Sequence, residues 1–116
     1  MKDYSYSFNI DDKTYKLVFN LNVMEEIQSK YGTIQKWGNL TDKANGEPNA
    51  KALIFGFTAM LNEAIEIENE EKGTNNPTFT LKQVGRLITK IGLSNASENL
   101  NNAITESVKD EHPKNA

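Results

Sequence analysis

An α+β fold, with an N-terminal antiparallel β-hairpin packed on a bundle of four to five α-helices, is predicted by three features of the sequence. Two runs near the start alternate apolar and polar residues with period two. A long stretch from Ala50 to Glu71 carries its apolar residues at helical spacing. Hydrogen-bonding cap residues then recur ahead of several shorter apolar stripes.

In the first run Tyr4, Tyr6, Phe8 and Ile10 alternate with Ser5, Ser7 and Asn9, the pattern of a half-buried strand. Tyr15, Leu17, Phe19 and Leu21 repeat it, and the intervening Asp11-Asp12-Lys13 predicts a hairpin with a turn of about three residues. An Asp pair in such a place is turn chemistry before it is a cation site. A hairpin alone is marginal in water, so one face must lie on helices.

Asn22 as N-cap with Glu25 in a capping box predicts the first helix, buried through Val23, Met24, Ile27 and Tyr31 and ended by Gly32 in the left-handed conformation. Thr33 starts a short second piece with Ile34, Trp37 and Leu40 on one side. The stretch Thr41 to Asn49 reads as a loop whose last residue caps the central helix. That helix shows a broad apolar stripe of Leu53, Ile54, Phe57, Met60, Leu61, Ala64, Ile65 and Ile67. Ala52, Phe55 and Ala59 lie on its opposite side, which therefore needs cover from its own domain or from another subunit. Further along, Asn62, Glu63, Glu66, Asn69 and Glu70 make a back that reads as solvated.

After a loop from Lys72 to Thr78, Thr80 and Gln83 form a capping box, and Phe79 and Val84 sit at the positions of a hydrophobic staple. Leu81, Val84, Leu87, Ile88 and Ile91 are the expected buried side of that helix, and Gly92 its end. Asn95 and Glu98 repeat the cap pattern for a last helix with Ala96, Leu100, Ala103, Ile104 and Val108 on a narrow stripe. Residues 1–110 read as a single domain, and 111–116 as a mobile tail with a Pro and no large hydrophobe.

Length and composition are those of one modest core: 116 residues, 37% hydrophobic, 25% charged, net charge -3. No basic patch interleaved with aromatics is present, which disfavours nucleic acid as a partner. Without an apolar run of about 18 residues or a charged-then-apolar leader, neither a membrane span nor a secretory signal is expected. The chain has no Cys, and its one His, His112, lies in the expected tail away from any fixed partner. No catalytic residue, cofactor site or metal site is visible, so the chain is not expected to be an enzyme.

The segment Phe8 to Leu40, FNIDDKTYKLVFNLNVMEEIQSKYGTIQKWGNL, has the order strand, I-D-x-K-x-Y turn, strand, polar cap, E-E-I-x-x-K-Y-G helix and short amphipathic piece. It resembles the start of the tail assembly chaperones of long-tailed bacteriophages, prophages and gene transfer agents. The central apolar helix and the later T-L-K-Q-V-G-R-L-I segment stand where that family has its T-x-x-x-V helix, while a turn Gly usual in the family is Asp12 here. The resemblance implies a non-catalytic protein that binds the tape measure protein and promotes assembly of the tail tube protein around it. It implies action in the cytoplasm of a bacterial host and absence from the finished virion. The alternatives are a structural tail or connector subunit and a small host-directed regulatory protein. Partner contacts, or contacts of a homo-oligomer, are expected at Phe55 and Ala59, at Leu100, Ile104 and Val108, and at Glu66 and Glu70. Each apolar stripe has internal core as its other reading, and the carboxylates a solvated helix end.

Many members of the resembled family are made in a second, longer form by backward slippage of one base near the end of the short frame. Pro113-Lys114-Asn115 permits the codons CCA AAA AAC, which contain the slippery string A AAA AAC. The expected outcome is such a heptamer over these codons and an open minus-one frame downstream. Sequencing the DNA checks it, and an early stop in that register removes the longer form.

Overall fold

The computed structural model describes residues 5–110. Tyr4 of the expected first strand, and the expected tail with His112, lie outside the described residues. Strands β1 (Ser5–Ile10) and β2 (Lys13–Val18) form a two-stranded antiparallel sheet, followed by helices α1 (Leu21–Tyr31), α2 (Ile34–Thr41), α3 (Ala50–Lys72), α4 (Leu81–Ile91) and α5 (Leu93–Asp110). A short 3₁₀ turn, Lys43–Asn45, interrupts the loop between α2 and α3. The α+β hairpin-on-helices architecture is thus the one the sequence predicts.

The strands pair Tyr6 with Leu17, Phe8 with Tyr15 and Ile10 with Lys13, so the turn is Asp11-Asp12 alone and shorter than expected. Asp11 adopts a φ of 55°, a conformation that the short Asp side chain tolerates. On the outer face the paired Asn9 and Thr14 are joined by a 2.8 Å side-chain hydrogen bond. The inner face meets α3 through Phe8, whose ring stands edge-on to Phe57 at 5.6 Å and stacks on Tyr15 at 5.8 Å.

Several element starts differ from expectation. β2 ends at Val18, and Asn20, extended at φ -136°, caps α1 by accepting from the Val23 amide. Leu21 is therefore a first-turn helical residue, 78% exposed, and Asn22 is inside the helix instead of capping it. Gly32 does end α1 with positive φ (92°), but its ψ of -52° is outside the left-handed helical well. α5 begins directly after Gly92, whose amide closes α4 on Ile88 and whose carbonyl receives the Ala96 amide. Asn95 is consequently in the first turn of α5, where its side chain donates to the Ile91 carbonyl. Leu81, expected on the buried side of its helix, is exposed, as is Leu40, expected on one side with Ile34 and Trp37. The caps at Thr33, Asn49 and Thr80, with the full Thr80–Gln83 capping box, are found where expected.

One continuous core joins every element from β2 to α5, with α3 at its centre: Ala52, Leu53, Phe57, Met60 and Leu61 are all buried. The opposite side of α3 is partly covered by its own chain. Trp37 of α2, 1% exposed, lies against it and donates its indole N–H to the Ala52 carbonyl at 2.9 Å. Gly56 makes room for that ring, since a Cβ there would sit 2.3 Å from Trp37 Cζ2. Replacing Gly56 by Ala gains about 1 kcal/mol of helix propensity but overpacks the core at the upper end of the usual ~1–3 kcal/mol cost. The expected net result is a loss of about 2 kcal/mol by chemical denaturation. Gly85→Ala, whose Cβ would meet only Ile54 Cδ1 at 3.5 Å, is expected to stabilise by up to ~1 kcal/mol.

Candidate functional site

Along α3 the residues Lys51, Ile54, Phe55, Thr58, Ala59, Asn62, Glu63 and Glu66 recur at spacings of three and four and so share one face. Lys51, Ile54 and Phe55 floor one depression of about 740 Å³. Phe55, Thr58, Ala59, Asn62, Glu63 and Glu66 floor a second of about 280 Å³. The two adjoin, since Phe55 and Leu81 line both. Together they form a trough with α3 as its floor, α1 (Glu26, Lys30) as one wall and α4 (Leu81, Lys82, Gly85, Arg86) as the other.

Polar side chains that the sequence suggests are merely solvated set the position of those walls. The Asn62 amide donates to the Phe79 carbonyl at 3.0 Å and accepts from the Phe79 N–H at 2.8 Å, fixing the entry to α4. Glu63 accepts from the side-chain amides of Asn20 and Asn22 at 2.8 and 3.1 Å, fixing the entry to α1. Asn69 accepts from Thr74 and the Asn76 amide and donates to the Asn76 carbonyl, closing the loop after α3 on itself. Both walls thus start beside the middle of α3, and both run back towards its N-terminal end, where Lys30 lies 5.5 Å from the Phe55 ring and Gly85 faces Ile54.

The trough is segregated by charge. Lys30, Lys51, Lys82 and Arg86 surround its N-terminal half, and Glu26, Glu63 and Glu66 its other half. Among the described residues none of these seven forms an ion pair; the salt bridges there are Lys43–Glu98, Lys72–Glu68 and Lys90–Asp11. Partial burial raises the Glu26 carboxyl above the usual glutamate value, and the neighbouring charges of Glu63, Glu25 and Glu66 push it the same way. Beside the trough, the Tyr31 ring meets Phe55 edge-on at 5.8 Å, and its hydroxyl is buried with no hydrogen-bond partner among the described residues. Desolvation raises its pKa.

The residues expected to meet a partner fall on different parts of the molecule. Phe55, Ala59 and Glu66 line the trough; Glu70 is exposed but outside it. Ala59 is 9% exposed and Leu100 2%, so both are largely covered by their own chain, and Leu100 belongs to the core. Ile104 is half-buried against that core, and Val108 is 46% exposed. The α5 stripe does not join the α3 face: Leu100 and Ile104 border a separate depression with Ile34, Trp37 and Ser97. Ser97 is buried there, and its hydroxyl donates to the Thr41 carbonyl at 2.7 Å, which offsets the cost of burying it. The cations of the trough were not among the expected contacts, although Lys82 and Arg86, four apart on α4, carry a readable signal. No helix among the described residues is long and apolar enough to cross a membrane, and no group of three or more potential metal ligands occurs among them.

Because the Glu26 pKa is higher folded than unfolded, charge on Glu26 disfavours the folded state at neutral pH, and protonation relieves this as pH falls through the raised value. Glu26→Gln is therefore expected to melt higher than the native chain at neutral pH. The advantage is expected to shrink on acidification and vanish below the ordinary glutamate range, which paired thermal melts across pH check. Comparison of the chain with protein-family models, with curated proteins and with solved structures finds no match.

Proposed function

We propose that this protein is a tail assembly chaperone of a long-tailed phage or prophage, a non-catalytic protein that binds the tape measure protein and promotes assembly of the tail tube around it. The observation that carries the proposal is the open trough, whose apolar floor at Ile54 and Phe55 is bordered by charges that form no ion pair among the described residues. A groove of this form fits one face of an amphipathic helix. A long helical partner offers many such faces, so weak single contacts add up through repetition. The order of hairpin, capped helix and short amphipathic helix in Phe8 to Leu40, on which the resemblance rests, supports the same reading. In this reading the protein acts in the bacterial cytoplasm and is absent from the finished virion.

Co-expression with the very long tape measure protein encoded in the same gene cluster tests the proposal. The expected outcome is that the tape measure protein stays in the soluble fraction with the native chain. It is expected to precipitate with a Phe55→Ser variant that still melts cooperatively. A tape measure protein that is insoluble with both counts against the proposal. Retention of the chain in finished particles would instead make it a structural tail subunit.

A further inference from the structure

The division of the trough into a cationic and an anionic half specifies its occupant more closely than its apolar floor does. We infer that the trough takes a single amphipathic α-helical segment of a protein partner whose own charges are segregated, carboxylates at one end and cations at the other.

Three observations lead there. The floor residues from Lys51 to Glu66 span about 22 Å of helix axis at 1.5 Å per residue, the length of a partner segment of about four turns. α1 and α4 flank α3 as the outer helices of a bundle do, leaving open the position in which a further helix would bury Ile54, Phe55 and Leu81. Leu81 is 54% exposed there, an apolar contact waiting on the shared border of the two depressions. Lastly, the seven charges at the rim make no ion pair among the described residues. A uniformly acidic helix would be repelled by Glu26, Glu63 and Glu66, and a uniformly basic one by Lys30, Lys51, Lys82 and Arg86. Only a segregated helix meets opposite charge along its whole length. A second copy has the same two charged halves, but it would present another concave trough in place of the convex helix that the opening between α1 and α4 fits.

The inference rests on the trough being a partner site, as proposed above, but not on which protein supplies the helix. Its test uses two labelled synthetic peptides of about four turns with identical composition and an identical Leu stripe at helical spacing. One has Glu confined to one half and Lys to the other; the other interleaves them. Fluorescence anisotropy with the full chain is expected to show the segregated peptide binding about tenfold tighter, as several exposed ion pairs acting together allow. The preference is expected to narrow at high salt. The double variant Lys82→Glu with Arg86→Glu changes two exposed side chains and is expected to keep its melting transition while losing the preference.

Equal affinity for the two peptides overturns the inference. So does a trough closed by a second copy, seen as a dimer in sedimentation equilibrium that the same double variant dissociates. Loss of peptide discrimination with the tape measure protein still held soluble removes this inference alone. Discrimination with an insoluble tape measure protein removes the functional reading and leaves this one standing.

Discussion

Trp37 on the first turns of α3 is the contact on which the rest of the arrangement depends. A buried indole needs both a flat surface and a hydrogen-bond acceptor, and α3 supplies the two within one turn: Gly56 for the ring and the Ala52 carbonyl for the N–H. Losing the acceptor would leave a buried donor unpaired, at a cost of about 1–3 kcal/mol. With α2 held in this way, the following loop has to return over α5, where the buried Ser97 hydroxyl accepts the Lys43 amide and donates to Thr41. α3 is thus covered on the side of Trp37 and on the side of the hairpin, and the face between α1 and α4 is the one left open.

Polar side chains hold that opening in shape. Asn62 and Glu63 are neighbours on α3, and one grips the start of α4 while the other grips the start of α1. Hydrogen bonds of this kind each contribute only about 1 kcal/mol, but their direction keeps the two walls apart. The trough is therefore a product of specified polar contacts, and its rim charges form no ion pair among the described residues.

Charge segregation in the trough follows from the direction of the helices. α1 and α4 both run opposite to α3, so Lys30 near the end of α1 and Arg86 midway along α4 arrive towards Lys51 at the start of α3, while Lys82, in the first turn of α4, lines the same depression. Glu26, one turn earlier on α1, arrives beside Glu63 and Glu66. Residues far apart in the chain thereby produce two local fields of opposite sign on a protein whose net charge is only -3.

The sequence by itself determined the elements, because local physics decides them. Period-two alternation made the hairpin, and the caps at Thr33, Asn49 and Thr80 placed three helix starts to the residue. Where the helix starts moved from the expected Asn22 and Asn95 to Asn20 and Gly92, the packed chain decided them. The tertiary structure alone decided which apolar faces are closed. Leu100 and Leu81 look alike as members of helical stripes, yet one is in the core and the other at the trough border, because burial depends on the neighbours that other segments bring. The candidate site was half legible for the same reason: Phe55, Ala59 and Glu66 share a helix face that periodicity reveals, whereas Lys30, Lys82 and Arg86 reach it only through the antiparallel packing of α1 and α4 on α3.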